Sequence, residues 1–302
     1  MSLLDRIGNT PLREIPYPKS DKVRVFAKLE WCNPSGSVKD RAAANMIQDA
    51  LEKGQLEGKT LIDATSGNTG IAYAMLGASL GIPIELALPE NASKERQLIL
   101  RNYGAKIHLT SAMEATDGSQ RFVEQLVNEN PDKYFYPDQY NNPNNWGVHV
   151  KTTGPEIWRQ TDEKITHFIA GLGTTGTFVG TSRYLQPKGV TCISVQPNTP
   201  MHGLEGWKHM ETAIVPGIYD NTIADSTMTA DTEQAFRLAK AASKYLGLML
   251  SPSAAANLSV AFDLADQIGS GTIVTTFADN GMKYLQDAFW TNDDYNISNP
   301  FI

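Results

Sequence analysis

Two hydrophobic periods take turns along this chain. Short apolar runs at 23–29, 60–64, 84–88, 107–110, 167–170, 190–195 and 273–277 read as buried strands. Between them lie stretches with apolar residues at helical spacing. In 39–53 these are Ala43, Met46, Ile47, Ala50 and Leu51, and Gly54 ends the run. Further helices are predicted over 68–80, 93–102 with Ser93 as cap, 118–128, 155–159, 176–185, 232–246, 254–268 and 282–289. This alternation predicts an α/β fold with parallel-rich sheets flanked by helices.

The regularity fails in three places. Asn and Pro cluster over 137–146, which divides the chain into two α/β halves. The stretch 197–225 is rich in Pro, Gly and Met and has no clean period. The end, 291–302, reads as an irregular tail. It is expected on the surface, with a lid over a nearby site as the rarer alternative.

A length of 302 residues is too great for one ordinary core and predicts two domains. The net charge of −7 disfavours nucleic acid or an anionic membrane as partner, but leaves room for a small anionic substrate. No signal peptide is expected, because residues 1–6 lead into a turn. The most apolar stretch, 71–89, is broken by Gly81, Pro83 and Glu85, so it reads as a helix and a strand rather than a membrane span. Cys32 and Cys192 are too few for a disulfide framework and suit a reducing cytoplasm. Cys32 is expected as small packed filler. The five histidines stand at no ligand spacing, so no metal site is expected.

Three segments carry chemistry. The first is Asn33-Pro34-Ser35-Gly36-Ser37-Val38-Lys39-Asp40-Arg41, which places Lys39 at a helix start. The positive end of the helix dipole favours a neutral amine, the form needed for Schiff-base chemistry. Without the other two segments, Lys39 would read as a solvated surface charge. The second is Thr65-Ser66-Gly67-Asn68-Thr69-Gly70, whose N–H groups and hydroxyls suit a carboxylate. The third is Gly171-Leu172-Gly173-Thr174-Thr175-Gly176-Thr177, between an apolar strand and a helix, where free N–H groups suit an anion. A dinucleotide is the rival ligand here. That reading lacks an acidic residue about twenty positions on, since Val195 is followed by Gln196.

In this order the three segments resemble the pyridoxal-phosphate (PLP) enzymes of the tryptophan synthase β fold, specifically the cysteine synthases (O-acetylserine sulfhydrylases). Ile7-Gly8-Asn9-Thr10-Pro11-Leu12 and Lys151-Thr152-Thr153-Gly154-Pro155-Glu156-Ile157 extend the resemblance over roughly 3–289. Gly203-Leu204-Glu205-Gly206-Trp207-Lys208-His209-Met210 is similar to the type B branch. The resemblance implies a two-domain PLP fold type II. Residues 1–34 and 146–302 would form a larger, phosphate-binding domain, and 35–145 a smaller, mobile, substrate-carboxylate domain.

The resemblance also implies residue roles. Lys39 would hold PLP as a Schiff base and move the substrate's Cα proton. Gly173, Thr174, Thr175, Gly176 and Thr177 would hold the phosphate, and Asn68 the ring hydroxyl. Ser253, with Ser251 second, would face the pyridine nitrogen. Thr65, Ser66, Gly67, Thr69 and Gln139 would take the α-carboxylate, and Lys208 would serve the leaving-group end. Two departures stand out: Thr175 replaces a common glycine, and alanines follow Ser253 where Ser-Gly is usual.

The implied activity is β-replacement on O-acetyl-L-serine or O-phospho-L-serine with sulfide or another sulfur donor, through an aminoacrylate, in a cytoplasmic homodimer. Within the fold, cystathionine β-synthase and serine dehydratase are the alternatives. From other classes come a catalytically silent binding partner, opposed by the intact Lys39, and a nicotinamide oxidoreductase, opposed by the missing acidic residue.

Overall fold

The computed structural model describes residues 2–65, 67–292, 295 and 297–302. In chain order the elements are β1 (Leu12–Ile15), β2 (Val23–Leu29), α1 (Lys39–Glu52), β3 (Thr60–Ala64), α2 (Asn68–Leu80), β4 (Ile84–Pro89), α3 (Lys94–Asn102) and β5 (Lys106–Thr110). Then come α4 (Ala115–Glu129), β6 (Tyr134–Phe135), α5 (Pro143–Lys151), α6 (Thr153–Gln160), β7 (His167–Gly171), α7 (Gly176–Leu185) and β8 (Thr191–Pro197). The chain closes with β9 (Ser226–Ala230), α8 (Thr232–Leu246), α9 (Pro252–Gln267) and β10 (Gly271–Phe277).

These elements form two compact units, one of Met1–Ile7 and Lys39–Asn145, the other of Gly8–Val38 and Trp146–Ile302. Residues 1–7 thus go with the smaller unit, whereas the sequence reading put all of 1–34 in the larger. The reason is apolar: Leu3, Leu4 and Ile7 pack against the smaller unit's core.

The smaller unit is a four-stranded sheet in the order β5-β4-β3-β6, with every pairing parallel. Side chains alternate across it. Leu61 faces a core made with α1, α2 and Leu100 of α3. Ile62 and Ala64 face the opposite way, against Val123 of α4.

The larger unit is a six-stranded sheet in the order β1-β2-β10-β7-β8-β9; β1 runs antiparallel to β2 and the other pairings are parallel. Helices α8 and α9 pack on Val25, Ile169, Ile193 and Ile273. Residues of α6 and α7 share the opposite core with Phe168, Ala170, Cys192 and Val274. Parallel strands covered on both faces must be apolar on both faces, which is why they were legible as runs.

Strands β1 and β9 were not, because they are sheet edges with exposed residues. The helix expected at 282–289 is replaced by two short 3₁₀ turns, Gly281–Tyr284 and Ala288–Trp290. Two separate anchors divide it: the Tyr284 hydroxyl donates to Asp279 Oδ2 at 2.7 Å, and Phe289 stacks on Phe236 at 4.3 Å. Cys32 is exposed rather than packed. In the tail, Phe301 is buried against Phe262, so this end is a surface-packed terminus; Asp293, Asp294 and Asn296 lie outside the described residues. No helix among the described residues is long and apolar enough to cross a membrane.

A buried ion pair organises the larger unit's entry. Lys28 of β2 has 0% exposure, and its Nζ lies 2.7 Å from Glu156 Oε2. The ammonium also donates to Thr10 O at 2.5 Å and Gln160 Oε1 at 2.8 Å. Glu156 Oε1 accepts from the Asn9 N–H at 2.9 Å, and Asn9 takes a left-handed φ of 47°. Further along, Asn33 Oδ1 accepts from the Gly8 N–H at 2.8 Å, which ties the segment leading to Lys39 into the same network. A buried charge that loses its partner costs about 3–5 kcal/mol. Lys28→Met should therefore lower unfolding stability by about that much, and adding Glu156→Gln should recover part of the loss, as read by chemical denaturation.

Candidate functional site

The two units hold different parts of the expected chemistry, and each is built on a parallel strand that hands over to a helix.

In the smaller unit, Lys39 is the first residue of α1 and is half-buried. β3 ends at Ala64, and α2 begins after Gly67, which has no side chain to cap it. Thr65 and Thr69 are buried beside this turn, while Gly67 and Asn68 are partly exposed. Ser66 lies outside the described residues. The structure brings Gln139 to the same place. Its Oε1 accepts from Thr69 Oγ1 at 2.9 Å, and its Nε2 donates to Ala64 O at 3.2 Å. Its backbone carbonyl accepts from Asn145 Nδ2 at 2.7 Å. Thr69 and Gln139 are 70 residues apart in sequence, yet they fix each other's polar groups beside a helix N-terminus.

Asp63, which sequence reading passed over, lies two residues before Thr65 and is wholly buried. Its Oδ1 accepts from the Ala64 N–H at 2.7 Å, and its Oδ2 has no hydrogen-bond partner. Burial drives its pKa from the ordinary 3.8 up to about 7, opposed by the Ala64 N–H and the Tyr73 hydroxyl and aided by the charge of Asp138. The signal was available: an acid inside the apolar run Thr60-Leu61-Ile62-Asp63-Ala64.

In the larger unit, β7 ends at Gly171 and α7 starts at Gly176. α7 has no side-chain cap, whereas α3, α8 and α9 are capped by Ser93, Asp231 and Ser251. Its N-cap residue, Thr175, sits in the left-handed region at φ 73°, a conformation costing about 1–3 kcal/mol for a β-branched residue. This gives physical content to the threonine found where glycine is common. Thr174 and Thr175 are buried, and the Thr175 hydroxyl has no hydrogen-bond partner. Thr177 Oγ1 lies 3.4 Å from His149 Nε2, whose ring is braced by Thr153.

Gly171 and Gly173 also have a packing duty. A β-carbon on Gly171 would overlap the Trp207 ring, and one on Gly173 would overlap the Gly206 carbonyl oxygen. The 204–208 segment is thus laid directly on the glycine-rich turn, and the Lys208 N–H donates to Leu172 O at 2.8 Å. The Lys208 ammonium donates to Ile214 O at 3.1 Å.

Ser251 caps α9, accepting from the Ala254 N–H at 3.2 Å. Pro252 follows as the first helical residue, a favoured place for proline, so α9 starts two residues before the expected position. The Ser253 hydroxyl lies 3.2 Å from Ser251 Oγ and is not used as a cap. Among the described residues, no group of three or more His, Cys, Asp or Glu side chains is placed to hold a metal.

Residues 3–279 match the pyridoxal-phosphate dependent enzyme family. The chain is 48% identical to a cysteine synthase of Aquifex aeolicus, over 97% of this chain and 93% of that protein. It is 36% identical to cysteine synthase B of Escherichia coli, over 98% of each. The solved structure of a cysteine synthase (OASS) from Entamoeba histolytica superposes with a TM-score of 0.93 at 32% identity, covering 99% of this chain and 93% of that one.

The residues present fit such a cofactor. An uncapped helix start with a buried, unpartnered hydroxyl in its N-cap is an anion cradle with an open valence. Lys39 offers an amine in the first turn of another helix.

Two expectations follow. Gly173→Ala should destabilise the protein by about 1–3 kcal/mol even without cofactor, because the clash is with the Gly206 backbone rather than with a ligand. Thermal unfolding with and without added PLP separates the two causes. Asp63 keeps its proton in the folded state between about pH 4 and 7, where the unfolded chain has lost it. Its contribution to stability therefore falls as pH rises through that window. Asp63→Asn stays neutral, so its denaturation midpoint should gain on wild type from pH 5 to pH 8.

Proposed function

The chain belongs to the pyridoxal-phosphate dependent enzymes, and on that premise we propose that it works as a cysteine synthase, converting O-acetyl-L-serine and sulfide into L-cysteine and acetate. The observation that carries this reading is the neutral setting of Ser253, whose described hydrogen-bond neighbour is another hydroxyl, Ser251 Oγ at 3.2 Å. A hydroxyl facing the pyridine nitrogen would leave the ring unprotonated and temper it as an electron sink. Such a ring favours loss of a β-substituent over racemisation or transamination.

When bound, pyridoxal phosphate would supply an aldehyde carbon for amino groups and a conjugated ring that acidifies the substrate's Cα–H. Lys39 Nζ would hold the cofactor and then carry the Cα proton away and back. Gly173, Thr174, Thr175, Gly176 and Thr177 would hold the phosphate, with Thr175 Oγ1 gaining the partner it lacks. Thr65, Ser66, Gly67, Thr69 and Gln139 would bind the α-carboxylate, and Asn68 the ring hydroxyl. One Gln139 Nε2 hydrogen is occupied by Ala64 O, which leaves the second for the substrate.

Lys208 would serve the leaving group. As a compact point charge it would hold a phosphate leaving group less specifically than a bidentate arginine would. The proposal includes a cytoplasmic setting, in keeping with two free cysteines, and a homodimer, the commonest oligomer.

Borohydride reduction of purified protein with PLP, followed by peptide mass mapping, should place the cofactor's mass on Lys39. Lys39→Ala should lose both that adduct and the visible absorption band. Sulfide added with O-acetyl-L-serine should then yield L-cysteine from wild type alone. A band that survives in Lys39→Ala, or no L-cysteine from wild type, would sink the reading.

A further inference from the structure

The smaller unit buries an acid that the reaction as outlined does not use. Asp63 sits on β3 with its carboxyl turned to the face of Leu61, opposite Ile62 and its register partner Glu85. One peptide joins it to the α-carboxylate residues: the Ala64 N–H donates to Asp63 Oδ1 at 2.7 Å, while Ala64 O accepts from Gln139 Nε2 at 3.2 Å. Two residues of extended chain, roughly 7 Å, separate Asp63 from Thr65. Among the described residues, the groups that act most on the carboxyl include no cation. Tyr73 of α2 lies beside it, and Tyr136, Tyr140 and Asp138 come from the segment after β6. Asp117 and Glu124 of α4 act on those tyrosines from further away. A charged Asp63 would stand unneutralised beside the turn meant for a substrate anion, with no hydrogen bond formed at Oδ2 in the present geometry.

We propose that Asp63 is a positioning residue for substrate binding: its carboxyl must be protonated for the Thr65–Thr69 turn and Gln139 to accept an amino acid's α-carboxylate. The inference rests on the cysteine-synthase reading of that pocket. Two carboxylates this close repel through a low-dielectric interior, so the substrate anion and the Asp63 proton bind with positive coupling. Burial sets the group's midpoint at about 7. Above it, each molecule of substrate bound must also draw a proton onto Asp63, and affinity falls.

The test uses the holoenzyme and L-serine, which carries the α-carboxylate and only a poor leaving group. Infrared difference spectra of wild type should contain a protonated-carboxyl band at pH 6 that fades by pH 8.5 and is absent from Asp63→Asn. By titration calorimetry, the affinity of wild type for L-serine, divided by that of Asp63→Asn at the same pH, should fall roughly tenfold over that range. The ratio cancels the titration of Lys39 and of the amino acid itself. Wild type should also take up more protons per L-serine bound at pH 8 than the variant, which a purely structural role would not produce.

A flat ratio with L-serine bound, or no protonated band, overturns this proposal and leaves the cysteine-synthase reading standing. No binding of L-serine to either protein overturns both. If Asp63→Asn does not fold, Tyr73→Phe takes its place. Removing the hydroxyl that favours the charged form should raise the midpoint of the band and of the affinity loss together; a shift in the band alone overturns the coupling.

Discussion

An α-helix that starts at the end of a parallel strand has backbone N–H groups with no acceptor inside the helix, and the chemistry of this protein depends on how they are satisfied. Elsewhere in the chain side chains do it: Ser93, Asp231 and Ser251 each accept from an amide of the first turn. At α7 no side chain does, and at α2 the N-cap is glycine. α4 and α6 also lack such a cap, but each follows directly on another helical segment. The distinction separates helices that close on themselves from helices left open to an anion. It arises within each unit independently, from the same strand–turn–helix rule applied twice.

Keeping α7 open has a structural cost, and the chain meets it by packing. Thr175 is held in the left-handed region with its hydroxyl orphaned, a state that would relax if the loop were free. It is not free, because Gly206 and Trp207 press on Gly171 and Gly173 so closely that no β-carbon fits. The glycines therefore let the turn be packed rigidly. Rigidity is what a cofactor cradle needs: donors fixed beforehand lose little entropy on binding.

Much of this was legible in the sequence, for identifiable reasons. Buried parallel strands are apolar on both faces, so β2, β3, β4, β7, β8 and β10 stood out, and the motifs could be placed on the turns that follow them. Edge strands β1 and β9 carry exposed polar residues and gave no such signal, whereas the edge strand β5 was still read from its apolar Ile107 and Leu109. The pairing of Thr69 with Gln139 was hidden by sequence distance, as only the family resemblance suggested that a loop glutamine belonged with that turn. Which serine caps α9 could not be read from the sequence, since two flank Pro252, and only backbone geometry shows that Ser251 takes the Ala254 amide. The contact of Trp207 with Gly171 could not be read at all, since the segment 197–225 has no period to register it against the sheet.

Asp63 illustrates a limit of another kind. An acid within an apolar strand reads as an error or as a hidden partner, and here, among the described residues, no hydrogen bond is formed at Oδ2. The larger unit answers the same problem differently. There Lys28 is buried and paired with Glu156, Thr10 and Gln160, so its geometry is fixed. Charge compensation yields a pinned frame, and charge without compensation yields a group that titrates near neutrality. The first suits a network that must hold Asn9 and Asn33 in place. The second suits a position beside a pocket whose ligand is itself an anion, because a neutral acid tolerates that neighbour and an ionised one does not. The two buried charges thus differ in what they do, Lys28 pinning the frame of the larger unit and Asp63 making binding sensitive to pH.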